Sequence, residues 1–232
     1  MKLGARGGPQ GQPATNVRVE ILRANLDAVR RRIGEACRRA GRDPGEVTLV
    51  VVTKSIPQGL IPALHPLGVQ DIGENRPLEG LARVGGLTQF RRHMIGHVQT
   101  NKLRKVLEWA DVLHSVDRPS LALELARDDK KRPGLFLQVN VSGEASKGGY
   151  TPGRVGEVVA SARAAGLDVR GLMTMAPEGE DARPVFRRLR ELAAESGLRE
   201  LSMGMTQDFE TAVEEGATCV RVGTAIFHRV LL

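Results

Sequence analysis

Aromatic residues and cysteine are scarce in this sequence. Phe, Trp and Tyr make up only 3% of its 232 residues, so aliphatic side chains must fill any core, which suits helices packed on parallel strands. The two cysteines, Cys37 and Cys219, lie far apart and lack paired spacing. This excludes a disulfide scaffold and indicates reduced thiols, one in a predicted helix and one in a predicted strand, in a cytoplasmic protein.

Long apolar runs are also absent. No segment approaches the roughly 20 consecutive apolar residues that cross a membrane, so we expect no membrane partner. The segment Met1 to Thr15 is rich in Gly, Pro and Gln and has no apolar core, which argues against a signal peptide and predicts a disordered tail. We expect residues 16–232 to form one domain, which starts with a helix that Asn16 caps and Gly41 ends.

The basic excess of the chain is local. Of the net charge of +7, residues 1–46 contribute most, with ten Lys or Arg against five Asp or Glu, whereas the remainder holds 24 basic and 22 acidic residues. Aromatic residues do not alternate with the arginines as they do on surfaces that stack nucleic-acid bases. The first helix carries acidic residues among its basic ones, so we expect a solvated helix and no nucleic-acid partner.

Apolar segments of strand length alternate with helical patterns along the chain. The run Leu49 to Val52 is typical, because its length and β-branched content indicate a strand buried on both faces of a parallel sheet. Eight such segments favour an α/β protein with a single (β/α)8 TIM barrel and an extra N-terminal helix over an open sheet. The predicted strands are 47–53, 69–73, 92–95, 112–115, 135–141, 169–175, 200–202 and 219–222.

Lys54 directly follows the first strand, at the end of a parallel strand where α/β proteins place binding sites. If desolvation or a nearby cation favours the neutral amine, such a lysine is a nucleophile toward carbonyls. The alternative is a lysine that ends a strand and reaches into water. A matching anion site elsewhere in the chain would favour the first interpretation.

Two glycine-containing loops near the C-terminus supply that candidate anion site. Ser202 ends the seventh strand and Gly204 follows it, while Gly223 and Thr224 follow the eighth, where barrels commonly bind phosphate. Either glycine alone could be an ordinary turn residue. Arg221 lies inside the apolar eighth strand and must find either a structural carboxylate or a ligand. The lysine and this loop pair together predict a phosphate ligand that bears an aldehyde.

The motifs around these residues resemble the pyridoxal phosphate homeostasis protein family, the YggS or PROSC group, whose barrel is similar to the N-terminal domain of alanine racemase. The resemblance spans residues 47–228 in the order of the family. It is carried by Val52-Thr53-Lys54, Ile72-Gly73-Glu74-Asn75, His93 to His97 with Gln99 and Asn101-Lys102, Gln138 to Val141, Gly171-Leu172-Met173, Leu201 to Met205 with Asp208, and Arg221 to Phe227.

The resemblance implies that the ligand is pyridoxal 5′-phosphate (PLP) and that Lys54 forms the internal aldimine with it. An arginine at the pyridine nitrogen would keep that nitrogen largely unprotonated and weaken the ring as an electron sink. The sequence departs from the family at Thr206, where Ser is usual, at Ile56 and at His228. The other implied contacts are Asn75 near the aldimine, Arg221 at the pyridine nitrogen, and Ser202, Gly223 and Thr224 on the phosphate.

A protein that buffers, carries or delivers PLP is the function that this resemblance implies. A racemase of this kind needs an acid/base group on each face of the cofactor, and its second group is a tyrosine from another domain. The single tyrosine here is Tyr150, so we expect no robust turnover and no catalytic residues. The alternative is a PLP-dependent enzyme, such as a weak amino-acid racemase. We expect a monomer whose candidate acceptors are PLP-dependent apo-enzymes.

Two further patterns contain residue types that can carry chemistry. His93 and His97 have the spacing of metal ligands on a helix, but strand-like flanks and Gly96 disfavour a helix there and no third ligand is evident, so we expect no metal site. A contact of His97 with the cofactor ring is an open alternative. The loop 142–149 contains Lys147 but lacks P-loop spacing, so a mobile lid is the expectation.

Overall fold

A computed structural model describes residues 12–128, 133–144 and 147–230, with the backbone alone for residues 12–16. Residues 1–11, most of the predicted tail, and residues 145–146 of the predicted lid lie outside the described part. Within it, no helix is both long and apolar enough to cross a membrane.

Eight parallel strands form a closed barrel in which each strand pairs with the next in sequence and β8 pairs with β1. This confirms the predicted (β/α)8 fold, and the predicted strands match the observed ones to within a few residues. The strands are β1 Thr48–Val52, β2 Asp71–Glu74, β3 Arg91–Met94, β4 Val112–Val116, β5 Gly134–Gln138, β6 Val169–Met173, β7 Glu200–Ser202 and β8 Cys219–Val222.

Eight α-helices lie around the barrel in the described residues. Residues 58–67 after β1 form a 3-10 helix, because Pro62 and Pro66 remove donors that an α-helix needs. The α-helices are α1 Gln12–Arg39, α2 Pro77–Val84, α3 Leu103–Leu107, α4 Pro119–Arg127, α5 Val155–Ala164, α6 Arg183–Glu195, α7 Phe209–Glu214 and α8 Thr224–Phe227.

Two helices differ from the sequence prediction. The first helix starts at Gln12 rather than at Asn16, so it includes the last four residues of the predicted tail. Helix α2 was not predicted, although Pro77 at its first turn is a start signal. Gly80 lowers its helix propensity, yet a Cβ there would lie 2.4 Å from the Trp109 ring, so close packing against Trp109 requires the glycine.

Helix α1 fixes the segment that follows β8. Its apolar face, which includes Leu22, Leu26 and the free thiol Cys37, is fully buried. Asn25 Nδ2 donates to the carbonyl oxygens of Ile226 and His228, at 2.9 Å each. The extra helix therefore holds the short helix α8 in place against the barrel.

The inside of the barrel is unusually polar. The large apolar core lies between the strands and the helices, whereas a separate small apolar cluster consists of Val112, Phe136 and Met173. Buried polar side chains of five strands lie beside this cluster, and they are Asp71, His93, His114, Ser202 and Arg221. Cys219 of β8 is also buried, and burial raises the pKa of its thiol to about 12.

Candidate functional site

A cavity of about 830 Å³ opens at the carboxyl end of the barrel. Segments that follow β1, β2, β3, β6, β7 and β8 line it. It brings together five of the six residues that the sequence predicted for the site, namely Lys54, Asn75, Arg221, Gly223 and Thr224.

Lys54 lies in the turn directly after β1 with its side chain exposed at the cavity. Arg83 of α2 holds this turn, since its Nη2 donates to the carbonyl oxygens of Thr53, at 2.8 Å, and Ile56, at 2.6 Å. Glu74 accepts from Thr53 Oγ1 at 2.6 Å and from Arg83 Nε at 3.1 Å. These contacts fix the backbone on both sides of Lys54. The Lys54 amine itself has no salt bridge to any described residue.

Asn75 lines the cavity and carries an unpaired acceptor. Its Oδ1 is buried and has no hydrogen-bond partner among the described residues. The Asn75 backbone lies against Gly96 so closely that a Cβ at Gly96 would lie 2.0 Å from the Asn75 carbonyl oxygen. A buried polar atom without a partner is costly, so this oxygen fits a site whose ligand donates a hydrogen bond.

Arg221 supplies the positive charge at the base of the cavity. It is only 5% exposed, and its Nη2 donates to the Thr174 carbonyl oxygen at 3.1 Å while its Nη1 donates to Ser202 Oγ. Burial lowers the pKa of the guanidinium from its usual range, yet an arginine stays charged at neutral pH. Its partners are a carbonyl and a hydroxyl rather than the structural carboxylate that the sequence left open. A guanidinium has five N–H donors, so donors remain for an anionic or nitrogenous ligand.

Each of the two C-terminal loops contains a closely packed glycine. Gly204 has φ of +93°, and a Cβ there would lie 2.5 Å from Ala212 Cβ. A Cβ at Gly223 would lie 3.1 Å from the Val52 carbonyl oxygen. Packing and the positive φ therefore require a glycine at position 204, whereas Gly223 is tightly packed and lines the cavity, where its backbone can lie close to a ligand.

Curated relatives cover nearly the whole chain. The chain is 41% identical over 223 residues to the pyridoxal phosphate homeostasis protein of Pseudomonas aeruginosa, with 90% of this chain and 96% of the relative covered. It is 39% identical over 217 residues to the protein of the same name from Aquifex aeolicus, with 87% and 95% covered. This chain belongs to the pyridoxal phosphate homeostasis protein family.

Solved structures agree with this membership. PipY of Synechococcus elongatus, in a structure with PLP bound, superposes with a TM-score of 0.76 at 32% identity and covers 89% of this chain and 99% of its own. Alanine racemase of Corynebacterium glutamicum, at 19% identity and a TM-score of 0.68, shares the fold over 90% of this chain and 60% of its own. No protein-family model matches the chain.

Ser202 is the one predicted site residue of this family member that does not line the cavity. Its side chain is fully buried, and its Oγ lies 2.7 Å from His114 Nδ1 and accepts from Arg221. Thr206, which was not predicted as a site residue, lines the cavity instead. It follows Gly204 in the loop after β7, and this position after the glycine is the sequence signal that could have identified it.

The remaining predicted candidates lie outside the cavity lining. His93 Nε2 lies 2.8 Å from Asp71 Oδ1 inside the barrel. His97 is more exposed, and its Nδ1 lies 2.9 Å from Asp117 Oδ2. Lys147 pairs with Glu144 at 2.7 Å. A lid function of the loop 142–149 stays a prediction.

Proposed function

We propose that this protein binds PLP in the cavity at the carboxyl end of the barrel and thereby takes part in PLP homeostasis in the cytoplasm. The observation that carries the proposal is the convergence of Lys54, Asn75 and Arg221 on one cavity. The names of the relatives and the PLP-bound structure of PipY support the choice of ligand.

The cavity residues fit the parts of this ligand. PLP supplies an aldehyde that reacts with primary amines, and Lys54 places such an amine at the cavity. Asn75 Oδ1 offers its unused acceptor to a donor on the ligand near that amine. Arg221 directs a buried guanidinium toward the ring, where a fixed positive charge disfavours protonation of the ring nitrogen.

The phosphate is proposed to lie between the loops after β7 and β8. Gly223 and Thr224 of the loop after β8 line the cavity, and so does Thr206 of the loop after β7. Direct contact between Ser202 and the phosphate stays a prediction, and the bonds of Ser202 favour a role behind Arg221.

A carrier or buffer is favoured over an enzyme. Proton transfer at an amino acid needs a second acid/base group at the cofactor. Tyr150, the sole tyrosine, is 6% exposed, is not among the cavity residues and lies in a groove beside α4 and α5. Burial raises the pKa of its phenol to about 12, so it is a poor base at neutral pH. PLP-dependent apo-enzymes are the proposed acceptors of the released cofactor.

Spectral titration with PLP tests the proposal. We expect the wild type to develop a visible absorption band that saturates at one equivalent, and Lys54→Ala to lack it. Lys105→Ala is the matched control, because Lys105 is an exposed lysine that pairs with Glu108 away from the cavity. A wild type that stays colourless would contradict the proposal, and racemisation of amino acids at ordinary enzyme rates, roughly 1 s⁻¹ or faster, would favour the enzyme alternative.

A further inference from the structure

A continuous chain of hydrogen bonds crosses the inside of the barrel. His93 Nε2 lies 2.8 Å from Asp71 Oδ1, and His93 Nδ1 lies 2.8 Å from His114 Nε2. His114 Nδ1 lies 2.7 Å from Ser202 Oγ, which also accepts from Arg221. Because β4 and β7 are not neighbours in the barrel, the bond from His114 to Ser202 spans the interior.

Both ends of this chain have a fixed hydrogen-bonding role. Arg221 can only donate. Asp71 can only accept while it is ionised, and its pKa is lowered because hydrogen bonds from His93 and Arg91 outweigh the effect of burial, which alone would raise it. Burial lowers the pKa of His93 and lowers that of His114 further, with the charge of Arg221 adding to the effect on His114. These lowered pKa values favour the neutral form of both imidazoles, and a neutral imidazole has one donor and one acceptor.

These roles leave one arrangement of the hydrogens. His93 must donate to Asp71 from Nε2, so its Nδ1 accepts from His114 Nε2. The His114 Nδ1 is then an acceptor and takes the hydroxyl hydrogen of Ser202, whose oxygen accepts from Arg221. The opposite tautomers would place the lone pair of His93 Nε2 against a carboxylate oxygen. Every hydrogen in the chain consequently points from Arg221 toward Asp71.

The Asp71 end of the chain reaches a second cavity. Asp71 and Arg91, whose side chain is 46% exposed, line a space of about 370 Å³ at the amino end of the barrel. Arg91 Nε donates to the same Asp71 oxygen that accepts from His93. The chain thus joins the solvent at one end of the barrel to the guanidinium in the proposed PLP cavity at the other.

We propose that His93 and His114 are positioning residues that orient Arg221 for the cofactor ring and transmit the charge of Asp71 to it across the barrel. Hydrogen bonds arranged donor to acceptor polarise one another, so removal of the terminal charge weakens the hold of Ser202 on Arg221. The effect on PLP rests on the proposed function, whereas the arrangement of hydrogens does not.

Nitrogen-15 NMR of histidine-labelled wild type, without PLP and at pH 7, tests the arrangement directly. We expect His93 and His114 to be neutral with hydrogen on Nε2. His65 and His228, which are exposed and outside the chain, provide reference signals. Hydrogen on Nδ1 of either buried histidine, or a positive charge on either, would overturn the proposal even in a protein that binds PLP.

A pair of matched variants tests the transmission. Asp71→Asn keeps the shape and removes the charge, and we expect a shifted absorption band of bound PLP and a Kd raised roughly fivefold to tenfold. Asp168→Asn makes the same change at the same end of the barrel, where Asp168 pairs with Arg170 outside the chain, and should leave both unchanged. Wild-type behaviour of Asp71→Asn would overturn the inference. Failure of the wild type to bind PLP would instead overturn the proposed function.

Discussion

Arg83 Nη2 lies 2.8 Å from the carbonyl oxygen of Thr53, the residue before Lys54. The same guanidinium bonds to Ile56 O and to Glu74, so one side chain of α2 holds the turn that carries the proposed reactive amine. Glu74 is 1% exposed and depends on Arg83 and Thr53 for its hydrogen bonds. The position of Lys54 therefore depends on a helix that the sequence did not predict.

Replacement of Arg83 by Met should weaken both the fold and PLP binding. It leaves the Glu74 carboxylate buried without its ion-pair partner and frees two carbonyls, which should cost about 3 kcal/mol of unfolding free energy. Urea denaturation and PLP titration measure the two effects. Arg76→Met is the control, since Arg76 is exposed and pairs with Glu79, and it should change the unfolding free energy by less than about 0.5 kcal/mol. Equal behaviour of the two variants would contradict the role of Arg83.

Asn75→Ala should separate binding from stability. The substitution removes a buried acceptor that has no partner among the described residues, so the unfolding free energy should not fall. The Kd for PLP should rise roughly tenfold, the value of one hydrogen bond to the ligand. Asn101→Ala, at an exposed position, should change neither quantity. Loss of stability with unchanged PLP affinity would show that Asn75 serves the fold instead.

Gly204→Ala should distort the loop after β7. A Cβ at φ of +93° costs about 1–2 kcal/mol, and its contact 2.5 Å from Ala212 Cβ adds a similar amount. Gly143→Ala is the control, because Gly143 has φ of +73° with nothing within 4 Å and should lose only the conformational part. Thermal or urea unfolding compares the two. A smaller loss at Gly204 than at Gly143 would mean that α7 moves away without cost.

Stability should fall when the pH drops below about 6.5. Burial lowers the pKa of His93 and His114 in the folded protein. Below the pKa of these histidines in the unfolded chain, the unfolded chain therefore binds more protons than the folded protein and is stabilised relative to it. Each histidine should contribute up to about 1.4 kcal/mol per pH unit to this decline. Urea denaturation at pH 7.5, 6.5 and 5.5 measures the slope, and His65→Gln, at an exposed position, should preserve it. A flat profile would contradict the burial of two neutral imidazoles.

The lowered pKa of Asp71 acts in a more acidic range. Its contribution to stability is present above the unfolded pKa of about 3.9 and is lost as the pH falls through the lower folded value. The histidine effect can therefore be measured without interference from this carboxylate at pH 5.5 and above.

Local patterns sufficed for the barrel and for the placement of most candidate residues at one end of it. Runs such as Leu49 to Val52 identify buried parallel strands, and residues that directly follow a strand, such as Lys54 and Asn75, must lie at the carboxyl end of the barrel. Their convergence on one cavity follows from the closed order of the strands rather than from any single motif.

Contacts across the barrel could not be predicted in this way. In the sequence, His93 and His97 have the spacing of metal ligands, and no pattern singles out His114. The contact between His93 and His114 depends on strand register and on the closure of the sheet. The family resemblance assigned Ser202 to the phosphate, and a three-residue strand does not reveal that its side chain also bonds to His114 and Arg221. Helix α2 was not predicted because Gly80 lowers its helix propensity, and the reason for this glycine is its packing against Trp109 from a distant segment.

Borohydride reduction of the PLP-loaded wild type, followed by peptide mapping of the labelled lysine, identifies the amine that binds PLP. We expect one pyridoxyl group per chain, on Lys54, even though other lysines, such as Lys102 and Lys105, lie elsewhere on the molecule. A label on a different lysine, or no label after reduction, would contradict this expectation.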